Sequence, residues 1–256
     1  MTRTVWALAR RALRNLLRRP QFIAPLVVFP TLMLAVNVGG LSRTTTLPGF
    51  TPGVHGFLDF QLAAAITQSL LLGGVSAGIA VALEIEGGFF DRLVAAPIPR
   101  LAIVLGRLVA TTVIAVAQVA YFLALGLILG AHIRSGVPGA LLVAGIGALA
   151  GTGFGALGVM IALRARSAST VQGIFPLVFV VLFVSTAFFP RNLLESPARE
   201  IARFNPLSYL ADGMREPIIH PLQLAAVLDG FAAAAGIAVV AGALSVLALR
   251  GRLRDA

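Results

Sequence analysis

Six long apolar runs constrain this chain more than any other feature. They fall near residues 21–38, 57–83, 101–129, 138–162, 171–189 and 224–249. About 20 apolar residues let a helix cross the ~30 Å hydrocarbon core, and each run is close to or beyond that length. Backbone polar groups in lipid must find partners within the protein, so the runs are read as helices. The expected fold is an all-α integral membrane protein of six transmembrane helices, one domain over residues 1–256. With 58% hydrophobic and 12% charged residues, the chain has too few charges to cover a soluble domain of this length.

The net charge is +10, and all 20 basic residues are arginine. A basic chain can bind nucleic acid, but these arginines flank the apolar runs, so no nucleic-acid partner is expected. The N-terminal stretch, the 84–107 segment, the 163–170 loop and the C-terminal stretch carry fourteen of them, the opposite loops six. The positive-inside rule then places both ends and the 84–100 loop in the cytoplasm, in a multi-pass protein of the cell membrane. Without lysine there is no ordinary Walker A loop. Without cysteine there is no disulfide or thiolate metal site. His55, His132 and His220 lie near three different outer loops with no HExxH, so no metal is expected.

Residues 1–19 are read as an amphipathic helix lying in the bilayer interface rather than a cleavable signal, because six arginines interrupt them and no compact apolar core is present. At 100° per residue, Arg3, Arg10, Arg11, Arg14 and Arg18 share a sector turned toward anionic headgroups. Val5, Trp6, Leu8, Ala9, Ala12, Leu13 and Leu16 lie opposite.

The segment EIEGGFFDRLVAAPIPR, residues 84–100, holds three of the chain's ten acids. Glu84 and Glu86 fall at a helix C-terminus, which prefers cations. Gly87 and Gly88 permit a sharp turn. FFDRLVAA then reads as a two-turn helix stopped by Pro97 and Pro99. Phe89, Phe90, Leu93 and Val94 have nothing to pack on in a short solvated loop. A docking knob for a partner is expected, with a membrane-surface helix as the alternative.

These residues resemble the cytoplasmic loop of ABC type-2 transporter permeases, notably the daunorubicin-resistance type involved in drug and lipid export. The likeness rests on Glu84, Glu86, Gly88, Asp91, Arg92, Leu93, Pro97 and Arg100, with Phe89 standing where a small or hydroxylated residue is commoner. The N-terminal helix, the six spans and FFP…FNPLSYLADGMRE extend it over most of the chain. The resemblance implies a permease that pairs with a second copy, most simply as a homodimer, and binds two ABC ATPase subunits. These would hold ATP and Mg, this chain itself binding no cofactor. It also implies that the loop is a coupling helix seated in the ATPase, its acids positioning it or pairing with the ATPase and its apolar residues filling a groove there. The short helices after the fifth span would be exterior helices.

Within the spans, Thr67, Gln68, Ser69 and Gln118 are polar groups at mid-depth, costly unless paired or facing a cavity. Gln68, Ser69 and Gln118 are candidates for a substrate path, or for hydrogen bonds between helices. Gly147, Gly151 and Gly155 repeat at four-residue spacing, which suits close helix packing within the chain or across a dimer. Residues 190–223 contain five prolines and many apolar residues, so short helices resting on or dipping into the outer leaflet are expected, one starting at Ser196–Pro197; a segment buried in protein is also permitted. The expected function is export of a lipophilic drug, antibiotic or lipid-like compound. A polysaccharide or lipid-linked glycan exporter and an intramembrane lipid-modifying enzyme are the rivals. The second lacks a metal-ligand pattern, and the first is ranked lower because the spans, though rich in Phe, hold only one Tyr and no Trp.

Overall fold

The computed structural model describes residues 1–46, 50, 56–221 and 223–254. His55 and most of the first predicted outer loop therefore lie outside the described residues. Among the described residues all regular structure is helical. Helix α1 (Thr2–Leu17) precedes α2 (Pro20–Leu41), α3 (Phe57–Glu86), α4 (Phe89–Ala95), α5 (Arg100–Ile128) and α6 (Gly136–Ala165). Then come α7 (Ala168–Gly173), α8 (Phe175–Phe183), α9 (Ala198–Phe204), α10 (Pro206–Ile219) and α11 (Leu224–Arg254).

Five helices are long and apolar enough to cross a membrane: α2, α3, α5, α6 and α11. They match five of the six predicted spans within a few residues. The run at 171–189 is not one helix but two short ones, α7 and α8, followed by irregular chain to Pro190. Gly173 is a poor helix former, and Pro176 has no N–H to give the Gln172 carbonyl. Beyond α8, the last carbonyls turn to side chains: Ser185 Oγ donates to the Leu182 carbonyl at 2.5 Å and Asn205 Nδ2 to that of Val181 at 2.7 Å. Apolarity alone signals depth in the membrane, not continuity of the helix.

The core is built on α3 and α6, whose central faces are buried on most sides. The three glycines of α6 explain how α5 closes on it. A methyl group at Gly147 would sit 2.4 Å from Val119, at Gly151 2.2 Å from Ala115, and at Gly155 2.5 Å from Thr111. Thr111, Ala115 and Val119 repeat at the same four-residue spacing, so the seam is an α5–α6 contact within the chain and not a dimer contact. Gly74 and Gly78 of α3 meet Phe154 and Gly158 of α6 as closely.

Helix α2 carries Pro25 and Pro30. Pro30 leaves the Leu26 carbonyl without its usual i+4 donor. Ser69 Oγ supplies the missing bond at 2.6 Å, and Gln118 Nε2 then donates to the Ser69 carbonyl at 2.8 Å and its hydroxyl at 2.9 Å. Ser69 and Gln118 thus tie α2, α3 and α5 together.

Helix α10 runs back into the protein instead of lying on it. Leu210, Ala211, Met214 and Ile218 are fully buried, and Gly213 lies against Gly230 of α11. The permitted alternative of a protein-buried segment is therefore the one observed for α10, while α9 keeps Ile201 and Phe204 exposed. Helix α9 begins at Ala198, with Pro197 rather than Ser196 in the cap position. Asn205 caps α10, its Oδ1 accepting from the Leu207 N–H at 2.9 Å.

Candidate functional site

The loop between α3 and α5 is the site where the chain's acids and arginines converge. Gly88 takes φ +67° and reverses the chain, a conformation side chains disfavour. Helix α4 follows for seven residues, and Pro97 and Pro99 separate it from α5, which starts at Arg100. The turn, the short helix and its stop lie where the sequence places them.

Its packing differs from expectation. Phe90 and Leu93 are buried, in one cluster with Ile85, Ile103, Leu163, Val171 and Leu249. They fill the chain's own end of the bundle, so Leu93 is not available to a groove on a partner. What α4 presents outward is Asp91, Arg92 and Ala95, continued by Pro97 and Arg100. The long-range partners of Phe90 and Leu93 come from α6, α7 and α11, which local sequence cannot reveal.

Each acid has a partner within the chain. Arg107 of α5 and Arg11 of α1 both bind Glu84, Arg11 through Nη1 to Oε1 at 3.2 Å. Glu86 Oε1 accepts from the Ala168 N–H at 2.8 Å, at the start of α7. There the free N–H groups favour a carboxylate. Arg252 of α11 binds Asp91 at 2.9 Å. Two acids at the end of α3 are thus reconciled with its dipole, one by two guanidiniums and one by the start of another helix.

Aromatic contacts complete the clamp. The Arg11 guanidinium lies 3.5 Å over the Phe89 ring and that of Arg252 lies 4.8 Å from the Phe90 ring centre. The unusual Phe89 is thus a platform for Arg11. Burial also lowers the Arg11 pKa from its ordinary value. Arg11 is therefore turned inward to Glu84 rather than outward to the bilayer surface as expected, because a partly buried carboxylate holds it more tightly than water does. Trp6 also departs from expectation. One turn before Arg10 and bordering the basic sector, it is exposed beside Arg3, Arg10 and Arg14. Val5, Leu8 and Ala9 pack on α5, where Gly106 leaves room.

A second polar cluster lies at the opposite end, around Arg215 of α10, a residue not singled out from the sequence. It donates to the Thr186 carbonyl at 3.0 Å, the Ala187 carbonyl at 2.7 Å, the Phe60 carbonyl at 3.3 Å and Asp212 at 2.7 Å. The guanidinium stacks 3.8 Å above the Phe60 ring. Thr186 Oγ1 donates to Asp212 at 2.9 Å, and Ser208 Oγ accepts from the Thr186 N–H at 3.2 Å. Arg215 thereby satisfies irregular backbone after α8, which lipid could not. A single arginine in a proline-rich loop gave no signal of this.

Gln68 is fully buried in α3 and neither polar atom of its side chain has a partner among the described residues. Gln61, two turns away on the same face, also leaves its Oε1 unpartnered. Among the described residues no group of three or more His, Cys, Asp or Glu could hold a metal ion.

The apolar helices, the buried return of α10 and the clamped α4 define a polytopic, all-α membrane protein. Residues 3–219 match the ABC-2 type transporter family, and the chain belongs to that family as an ABC transporter permease. It is 27% identical over 216 residues to a putative transport permease ycf38 of Pyropia yezoensis, covering 82% of this chain and 72% of that one. The Porphyra purpurea counterpart is 28% identical over 217 residues, with the same coverage. A probable doxorubicin resistance ABC transporter permease protein, DrrC, of Mycobacterium tuberculosis is 24% identical over 205 residues, covering 77% of this chain and 71% of that one.

Proposed function

We propose that this chain is the membrane subunit of an exporter that moves a lipophilic drug, antibiotic or lipid-like compound across the cytoplasmic membrane. Two copies of a separate ABC ATPase, which hold ATP and Mg, drive two copies of this chain, with both ends of the chain in the cytoplasm. The likeness to a permease named for doxorubicin resistance supports the substrate class.

The observation that carries the reading is the wiring of α4. The end of α3 that leads into it is fixed to α1, α5 and α7 through Glu84 and Glu86, Asp91 ties it to α11, and Phe90 and Leu93 bury its inner side, while Arg92, Pro97 and Arg100 remain outward. A displacement imposed on that outer face by an ATPase passes to four helices at once. Glu84, Glu86 and Gly88 hold the helix in place; Arg92, Pro97 and Arg100 make the contact.

Gln68 is the substrate-path residue of this proposal. A buried amide without a partner costs roughly 1–3 kcal/mol, a cost relieved when a substrate or water reaches it.

The test is co-purification of the ATPase together with transport. The Arg92→Glu, Arg100→Glu double variant is expected to lose the ATPase. Glu84→Gln is expected to keep the ATPase and lose transport. Retention of both by both variants would remove α4 from the coupling path.

A further inference from the structure

A cavity of about 260 Å³ lies between α1, α2, α3 and α5, with the Glu84 cluster at one end. Two guanidiniums there share one carboxylate, so the wall carries one positive charge in excess, and Arg19 adds another. Each bond to Glu84 uses one amine of its arginine, and a guanidinium has five N–H donors in a planar fork. Away from the charges the lining is mostly apolar, with Leu16, Phe22, Leu26, Ala80 and Ile114 beside Ser76 and Thr111. Gly73 lies at the inner limit, where a methyl group would sit 3.1 Å from Gln118 Oε1.

We propose that this cavity binds one anionic phospholipid, its phosphate against Arg11 and Arg107 and the start of one acyl chain along Phe22, Leu26 and Ile114. Three observations select that occupant. The charge excess calls for an anion. The wall beyond it is mostly apolar, so the anion carries a hydrocarbon chain. The volume of about 260 Å³ has room for a headgroup and the start of one chain, which leaves the remainder of the ligand in the bilayer. The amphipathic α1 forms one wall of the cavity through Arg11, Ala12, Asn15 and Leu16, and helices of this kind lie at the level of lipid headgroups. Because the phosphate meets the two partners of Glu84, the lipid sets how firmly α1 and α5 hold the base of α4. Membrane composition thereby tunes coupling.

The experiment reads binding rather than transport, so it stands whatever compound is exported. The full chain, purified in detergent, is examined by native mass spectrometry with dioleoylphosphatidylglycerol, dioleoylphosphatidylcholine and inorganic phosphate. The expected result is one phosphatidylglycerol per chain, held about ten-fold more than phosphatidylcholine, the size of one charge-assisted hydrogen bond. Arg107→Gln is expected to remove that preference. Ala80→Phe, which fills the cavity and leaves the charges intact, is expected to lower retention about as much. Equal retention of both lipids, displacement of phosphatidylglycerol by an equal concentration of phosphate, or full retention by Ala80→Phe would each overturn the proposal. Should Arg107→Gln fail to fold, the two-lipid comparison and Ala80→Phe decide it alone.

Discussion

Ser69 and Leu26 are joined by a 2.6 Å hydrogen bond from the serine hydroxyl to the leucine carbonyl. That carbonyl is the one Pro30 deprives of a helical donor. A helix break in α2 is thus repaired from α3, and the repair is itself held by Gln118.

Replacing Ser69 by Ala leaves the Leu26 carbonyl buried and unbonded, an expected cost of about 1–3 kcal/mol. The same change in a Pro30→Ala background, where residue 30 regains its N–H, is expected to cost about half as much or less. Thermal unfolding in detergent over the four-variant cycle measures the coupling. Equal costs in both backgrounds would disprove the repair.

At the α5–α6 seam, Gly151→Ala forces a methyl into the space of Ala115, with an expected loss of about 1–3 kcal/mol. Ala115→Gly in the same chain is expected to recover part of it. Gly40→Ala, where nothing lies within 4 Å, is the control and is expected to stabilise or leave stability unchanged, by up to about 1 kcal/mol. Unfolding temperatures decide the order.

Arg215→Met removes the guanidinium donors from the carbonyls of Thr186, Ala187 and Phe60. The expected loss is about 3 kcal/mol, with protease cleavage appearing at residues 184–190. Arg215→Lys keeps the charge but concentrates its donors on one atom, and is expected to restore less than half the protection. Limited proteolysis reads both.

At α4 the two ends of one ion pair are expected to behave differently. The Asp91 side chain is 65% exposed and that of Arg252 11%. Asp91→Asn is therefore expected to cost less than about 1 kcal/mol. Arg252→Ala also loses its cover over Phe90 and is expected to cost about 1–2 kcal/mol. Chemical unfolding of the two variants separates pairing from packing.

Much of this was legible in the sequence where the controlling interactions are local. Gly87-Gly88 and Pro97–Pro99 bound α4 by backbone chemistry, and five spans follow from apolar length. The four-residue glycine spacing pointed to a tight seam, although its partners Thr111, Ala115 and Val119 on α5 come from a different helix. What was illegible depends on residues far apart in the chain. Arg107 and Arg11 reach Glu84 across 23 and 73 positions, and Arg215 reaches Phe60 across 155. Likewise the 171–189 run is apolar enough to span, yet Gly173 and Pro176 break it and α10 satisfies its freed carbonyls.

The glycine seam also sets which helices behave as one piece. With side chains of one helix set into notches of the other, α5 and α6 cannot slide without a steric collision at each step, so they form a fixed keel. Helix α2 is different: only 17% of its apolar stretch is buried, and it meets the keel through the Leu26–Ser69–Gln118 hydrogen bonds rather than through interlocked notches.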